Sequence, residues 1–435
     1  MVRLSQSVLV GLAIAVLALG AAAPAARAGG GFADLAADAT FGVDMTFSAT
    51  WTGDEPDHVD LLLGFVEDDR FIVPVALEGD QLAYSRDMEE NYLPPNSTVT
   101  YQWRAVDGGQ VTLSPERVLL YDDDRPQFDW DQATIGSAAV HWYGGNETIA
   151  RRFGDLAGEA ADAAGELLGR PLASPLSIFV YAEREDFLGA IGPGSREWVG
   201  AATYPEIRTV FMWLEAGSTS YLETTITHEV THVVFHDASD NPLHEPATWF
   251  NEGTAVWSEV GNAETEADLV GIEARSDEGL MAFEALTDQF PIDTRGASLA
   301  YAQGATMVDR IITTYGTDAM AGIMAAYRDG ATDAEAIEAG TGTPFEEIRA
   351  DYFASFGSTE PSPVEPVALG DSDVPLPGQP GSGPDQPEPN PDQPDGSQDL
   401  VWWLIIGFVL VGVVFVGVVV WRARRAAPPS DGSVP

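Results

Sequence analysis

Thr227-His228-Glu229-Val230-Thr231-His232-Val233-Val234-Phe235 is the stretch on which the reading of the whole chain turns. It sets two histidines four residues apart in an apolar run with helical periodicity. On a helix, positions i and i+4 share a face, so His228 and His232 point the same way. Two imidazoles so spaced can take two corners of a tetrahedral Zn2+ site. Glu229 stands about 100° further round the helix, beside such a metal rather than on it. That is where a general base for a zinc-activated water belongs. A half-buried helix with two hydrogen-bonded structural histidines would read the same, so a third ligand decides.

Trp249-Phe250-Asn251-Glu252-Gly253-Thr254-Ala255 supplies the candidate. Residues 237–244 make a polar turn, and Pro246 suits the first turn of a returning helix. Two antiparallel helices can then bring Glu252 opposite the histidine pair. The string W-F-N-E-G-x-A resembles the third-ligand helix of the gluzincin metallopeptidases, where glutamate completes a His, His, Glu site. A metzincin would need a third histidine ten residues after the first. Position 238 is alanine, so that arrangement is absent.

Ser298-Leu299-Ala300-Tyr301-Ala302-Gln303-Gly304-Ala305 resembles the Y-x-K-G-A segment of aminopeptidase-type gluzincins, with Gln303 where that family has lysine. The resemblance implies that the Tyr301 hydroxyl steadies the oxyanion of a tetrahedral intermediate; the alternative is a tyrosine that merely packs at a helix start. The G-x-M-E-N motif that grips a substrate amino terminus in aminopeptidases has no counterpart, since Phe211-Met212-Trp213-Leu214-Glu215 does not fit it. Over residues 127–357 the chain is most similar to the peptidase-MA-like branch of the gluzincins. This implies an α+β zincin-type domain with one Zn2+ per chain, held by His228, His232 and Glu252. Glu229 would then be the catalytic base, Tyr301 the oxyanion donor, and a peptide or protein the substrate.

Composition narrows the setting. The 435 residues predict more than one domain, and a 45% apolar share is enough for real cores. There is no cysteine, which excludes disulfides and thiolate zinc ligands. The formal net charge is −47, and all 21 basic residues are arginine. Between positions 29 and 399 the chain carries 67 acidic against 16 basic residues. Such a surface repels nucleic acid and anionic headgroups. It fits either adaptation to high salt or a GC-rich codon bias toward Ala, Gly, Asp and Arg.

Residues 1–28 read as a secretory signal: a basic Arg3, an apolar run over 8–19, and Ala26-Arg27-Ala28 at a cleavage site. Residues 30–124 read as all β. Phe41, Val43, Met45, Phe47, Ala49 and Trp51 alternate with small or polar residues, and further strands are expected over 59–65, 71–77, 97–106 and 118–121. The run from Leu93 to Tyr101 resembles the L-x-P-x-T-x-Y segment of fibronectin type III domains, which implies a small β-sandwich with Tyr101 as its corner tyrosine.

Within 127–357, strands are expected over 138–143, 176–181 and 208–214, and an amphipathic helix over 147–168. In gluzincins the strand at the place of 208–214 runs along the cleft edge, where its backbone pairs with extended substrate. Helices are expected within 265–290 and over 299–315, 317–329, 333–339 and 344–356, the last with Thr343 as N-cap and Pro344 at N1. His141 and His236 read as structural residues. His244 lies in the loop between the ligand helices.

Residues 358–399 are rich in Pro, Gly, Asp and Gln and too poor in apolar side chains to fold, so they read as a disordered, semi-rigid stalk. Residues 400–421 hold no charge and at 1.5 Å per residue reach about 33 Å, enough to span ~30 Å of hydrocarbon. Trp402, Trp403 and Trp421 stand near the ends of that run, and Arg422-Ala423-Arg424-Arg425 follows as a cytoplasmic stop before the tail of 422–435.

The expectation is therefore a multidomain, single-pass cell-membrane protein. A fibronectin III-like sandwich comes first, then a zincin-type peptidase domain, stalk and one C-terminal transmembrane helix. The competing readings are a catalytically inactive zincin-like adhesion or binding protein and a zinc hydrolase acting on non-peptide amides. Substrate sequence and oligomeric state are not legible.

Overall fold

The computed structural model describes residues 30–65, 70–192, 200–214, 219–260, 279–291 and 294–361. The expected signal, the span over 400–421, the tail and nearly all of the stalk lie outside them. Among the described residues no helix is long and apolar enough to cross a membrane.

Period-two alternation builds the N-terminal layers. β1 (Gly31–Thr40), β2 (Asp44–Thr52) and β5 (Gln81–Asp87) form one antiparallel sheet in the order β1-β2-β5. β3 (His58–Gly64), β4 (Arg70–Val75) and β6 (Ser97–Asp107) form the second, and β7 (Gln110–Leu113) and β8 (Arg117–Tyr121) share the far edge of β6. Met45, Phe47, Leu61, Leu63, Val99 and Trp103 face inward and are almost wholly buried. Each such side chain contributes about 1.5–3 kcal/mol on leaving water. Tyr101 lies edge-on to Phe47, with ring centroids 5.2 Å apart.

Two differences from the sequence reading appear here. Residues 41–43 are a turn, so the strand expected from Phe41 begins at Asp44. β1 is a full strand that the sequence does not announce, because GFADLAADAT is alanine-rich and offers few β-branched side chains.

The second domain begins with a five-stranded sheet in the order β12-β13-β11-β10-β9. Its strands are β9 (Asp131–Ile135), β10 (Ala138–Trp142), β11 (Leu176–Tyr181), β12 (Ala201–Tyr204) and β13 (Thr209–Trp213). β10, β11 and β13 are parallel, while β9 and β12 pair antiparallel at the two margins. One face (Val140, Ile178, Val180, Val210, Met212) shares a core with α1 (Glu147–Leu167) and α3 (Thr219–Ser239). The other face (Phe179, Tyr181, Phe211) shares a core with α2 (Arg184–Ala190).

The 208–214 segment is thus a strand but not the edge strand. β13 is paired on both sides, and among the described residues β12 is the margin. A four-residue strand carries too short an alternation to stand out in the sequence.

α4 (Thr248–Val260), a 3-10 turn over Phe283–Leu286, α5 (Thr294–Tyr315), α6 (Thr317–Arg328), α7 (Asp333–Thr341) and α8 (Phe345–Ser355) complete the fold. Pro246 precedes α4 by two residues rather than opening it. Pro344 occupies the N-cap of α8, so Thr343 is not its cap. The capping box sits instead on α7, where Thr332 and Glu335 bond reciprocally.

The sandwich and the α+β domain form one compact unit. The connector ties them: Asp123, fully buried, accepts the Tyr181 hydroxyl at 2.8 Å and the Arg125 guanidinium at 2.6 Å. Asn96 donates through Nδ2 to Thr209 Oγ1 at 2.8 Å, and Asn146 donates to Tyr143 O at 3.0 Å. The side-chain amides of Asn96 and Asn146 are therefore engaged within the protein.

Candidate active site

α3 carries His228 and His232 one turn apart, with imidazole centroids 4.7 Å from each other. α4 carries Glu252. Its Oε2 lies 3.3 Å from His228 Nε2 and 3.5 Å from His232 Nε2. One ligand atom from each of the three residues falls within 4.8 Å of the others. The three side chains are 12–23% exposed.

The outward ring nitrogens are fixed as well. His228 Nδ1 is 2.5 Å from Glu259 Oε1, and His232 Nδ1 is 2.8 Å from Asn251 Oδ1. The first histidine of α3 meets the later α4 residue and the second meets the earlier one, so α3 and α4 run antiparallel. An acceptor on Nδ1 puts the proton there and leaves Nε2 with its lone pair toward Glu252.

Charges at the cluster follow its geometry. Burial alone would raise the Glu252 carboxyl, but the charge of His232, with His228 beside it, more than offsets this and holds it well below the usual carboxylate range. Burial opposes protonation of His228, yet Glu252 and Glu259 together raise it well above an ordinary histidine. His232 is raised too, against its burial, chiefly by Glu252. Two protonatable imidazoles and one anion thus compete for the space between them.

The donor set fits a divalent metal. Glu252 Oε2 is buried and makes no hydrogen bond although it faces two ring nitrogens. An anionic oxygen in that state is costly unless a cation takes it up. Two imidazole nitrogens and one carboxylate are zinc donors, and three protein ligands leave a position open.

Glu229, the neighbour of His228, is not part of the cluster. The Thr203 hydroxyl on β12 donates to Glu229 Oε2 at 2.5 Å and lies 3.3 Å from the Glu229 carbonyl. Tyr301 on α5 sits with its ring 6.4 Å from that of His228, half-buried and edge-on to Phe290 at 4.9 Å. Of the five residues expected from the sequence, His228, His232 and Glu252 converge, Tyr301 stands near His228, and the charge of Glu229 reaches His232.

The sequence reading missed Glu259, Asn251 and Thr203. Glu259 lies seven residues after Glu252, two turns along the same helix face, so helical periodicity could have found it. Thr203 belongs to a strand too short to be read.

Gln303, the departure from the lysine of the resembling segment, is buried. Its amide accepts Met281 N–H at 3.0 Å and donates to Met281 O at 2.7 Å, pairing with the backbone as a strand would.

The remaining histidines stand apart. His141 is stacked on Phe179 at 4.3 Å, and burial lowers its pKa. His244 lies 3.3 Å from Asp333 and stacks on Tyr327, away from the cluster. His236 lines a cavity of about 370 Å³ with Arg170, Arg208 and Asp237; none of the cluster residues lines it.

Residues 158–356 match the Peptidase MA superfamily. The matched span runs from within α1 to the end of α8 and contains the whole cluster, which supports a zincin-like peptidase over those residues. No curated protein matches the chain. Among solved structures, the Br derivative of BhCBM56 matches at 12% identity over 20% of this chain and 88% of that one, with a TM-score of 0.17. A likeness that slight carries no argument about the fold.

Proposed function

We propose that the chain is a cell-surface zinc metallopeptidase, anchored by the apolar run at 400–421, with its tail in the cytoplasm. The carrying observation is the convergence of His228, His232 and Glu252 on one point. His228, His232 and Glu252 would hold one Zn2+. Bound there, zinc supplies Lewis acidity toward a water and toward a peptide carbonyl.

Glu229 accepts a proton from the attacking water as the new C–O bond forms. It returns that proton to the amine as the C–N bond breaks, so the two proton transfers balance. The Tyr301 hydroxyl donates to the oxyanion that develops on the substrate carbonyl. Glu259 and Asn251 keep both imidazoles in the ligating tautomer. The margin of β12, outermost among the described residues, would offer backbone groups to an extended peptide. The strand grouping of the N-terminal sandwich supports a fibronectin III-like module with a spacer role, while the stalk over 358–399 would hold the peptidase domain off the membrane.

A binding-only domain has no need of a carboxylate braced beside a metal site, and the Thr203–Glu229 contact favours the enzyme. Digestion of a peptide library by the zinc-loaded ectodomain, read by mass spectrometry, tests the proposal. Cleavage abolished by chelation and restored by zinc is expected. A zinc-replete protein that cuts no peptide would refute it.

A further inference from the structure

Thr203 and Tyr204 are consecutive on β12, so their side chains leave opposite faces of the sheet. Thr203 goes to Glu229. Tyr204 goes the other way, with its ring edge-on to Phe211 at 5.6 Å. Its hydroxyl lies 2.8 Å from Ile191 O and 3.0 Å from the hydroxyl of Tyr92, which in turn lies 2.8 Å from Ala190 O. Two hydroxyl protons thus serve three contacts. The carbonyls they meet close α2, where the helix itself leaves carbonyls unpaired.

Tyr92 does not belong to the α+β domain. It stands on the sandwich loop between β5 and β6, and Asn96 on the same loop bonds Thr209 Oγ1. Thr209 is the β13 residue that pairs with Tyr204. One loop of the sandwich therefore holds both strands of the β12–β13 hairpin at the same rung. The seat is specific: a Cβ on Gly192 (φ +80°) would fall 2.5 Å from the Tyr92 ring. Asn96 itself adopts φ +69°, a conformation asparagine tolerates better than most side chains.

We infer that this sandwich loop is a positioning element for catalysis: Tyr92 and Asn96 fix the β12–β13 hairpin, and Thr203 on that hairpin holds the Glu229 carboxylate in place. The inference rests on the peptidase reading for its kinetic consequence, but the mechanical link does not. Thr203 acts through Glu229, and the loop acts through Thr203. The N-terminal domain is then part of the working enzyme rather than only a spacer.

The test uses the zinc-loaded ectodomain and four readouts: kcat, KM, zinc content, and amide hydrogen exchange over 201–204 and 209–213. Thr203→Val should lower kcat by roughly 10- to 100-fold, the range for losing a hydrogen bond to a charged group. KM and zinc content should stay near the parent values, and Thr203→Ser should restore most of the rate. The double variant Tyr92→Phe with Asn96→Gly, in which glycine accepts the positive φ, should speed exchange over 201–204. It should also lower kcat severalfold without loss of zinc.

Parent kinetics in Thr203→Val, or unchanged exchange in the double variant, would overturn the inference. If the parent itself cleaves nothing, the peptidase reading fails, and the exchange measurement still decides whether the loop holds the hairpin.

Discussion

Glu252 is the residue whose surroundings make least sense without a metal, because its Oε2 is buried, unbonded and aimed at two imidazoles. Glu252→Gln removes the anionic ligand, so zinc should be lost in competition with a chelator that leaves the parent loaded. Glu259→Ala and Asn251→Ala keep all three ligands but release the outward ring nitrogens. Each should weaken zinc binding by about 10–100-fold, measurable by the same competition. Tyr301→Phe should leave zinc content intact and lower kcat by ~10²–10³ if its hydroxyl serves the oxyanion. Parent kinetics there would make Tyr301 a packing residue. At this scale the sequence is most legible, since i, i+4 spacing and one downstream glutamate are local facts. The residues that orient the histidines come from another helix, and the one that holds Glu229 comes from a short strand. Glu259 is legible only by counting two helical turns on from Glu252, and Thr203 only once β12 is placed beside α3.

Helix packing explains what the two glycine-bearing strings are for. A Cβ on Gly253 would lie 2.4 Å from the carbonyl carbon of Gly304, and one on Gly304 would lie 2.5 Å from Trp249 O. The glycine of W-F-N-E-G and that of Y-A-Q-G-A are thus one contact, where α4 and α5 touch backbone to backbone. Gly304→Ala should cost ~1–3 kcal/mol and lower Tm by roughly 2–12 °C, followed by calorimetry. Gln303→Lys should destabilise too, because lysine cannot accept Met281 N–H and its ammonium would be buried without a partner. A Gln303→Lys protein as stable as the parent would contradict the clamp assigned to this glutamine. Among the elements, long amphipathic segments such as α1, and β11 between well-marked turns, are legible to within about a residue. The alanine-rich β1 and the short β12 are not. Their strand character comes from partners rather than from their own side chains, which is why the sequence places the cleft edge on β13.

The whole molecule is governed by its acidity, 67 acidic against 16 basic residues between positions 29 and 399. If this is a salt adaptation, the ectodomain should gain stability into molar salt. A Tm that peaks below ~0.5 M, where screening is already largely complete, would favour codon bias.

The central claim, that the cluster holds zinc and Glu229 does the proton work, is tested most directly by zinc stoichiometry measured beside kcat in Glu229→Gln. Glutamine keeps the size of Glu229 but cannot take a proton, and removing a general base costs ~10²–10⁴ in rate. One zinc per chain with kcat reduced in that range is the expected result. A variant that cleaves peptides at the parent rate would contradict the account, and one that loses its zinc would move Glu229 into the metal site.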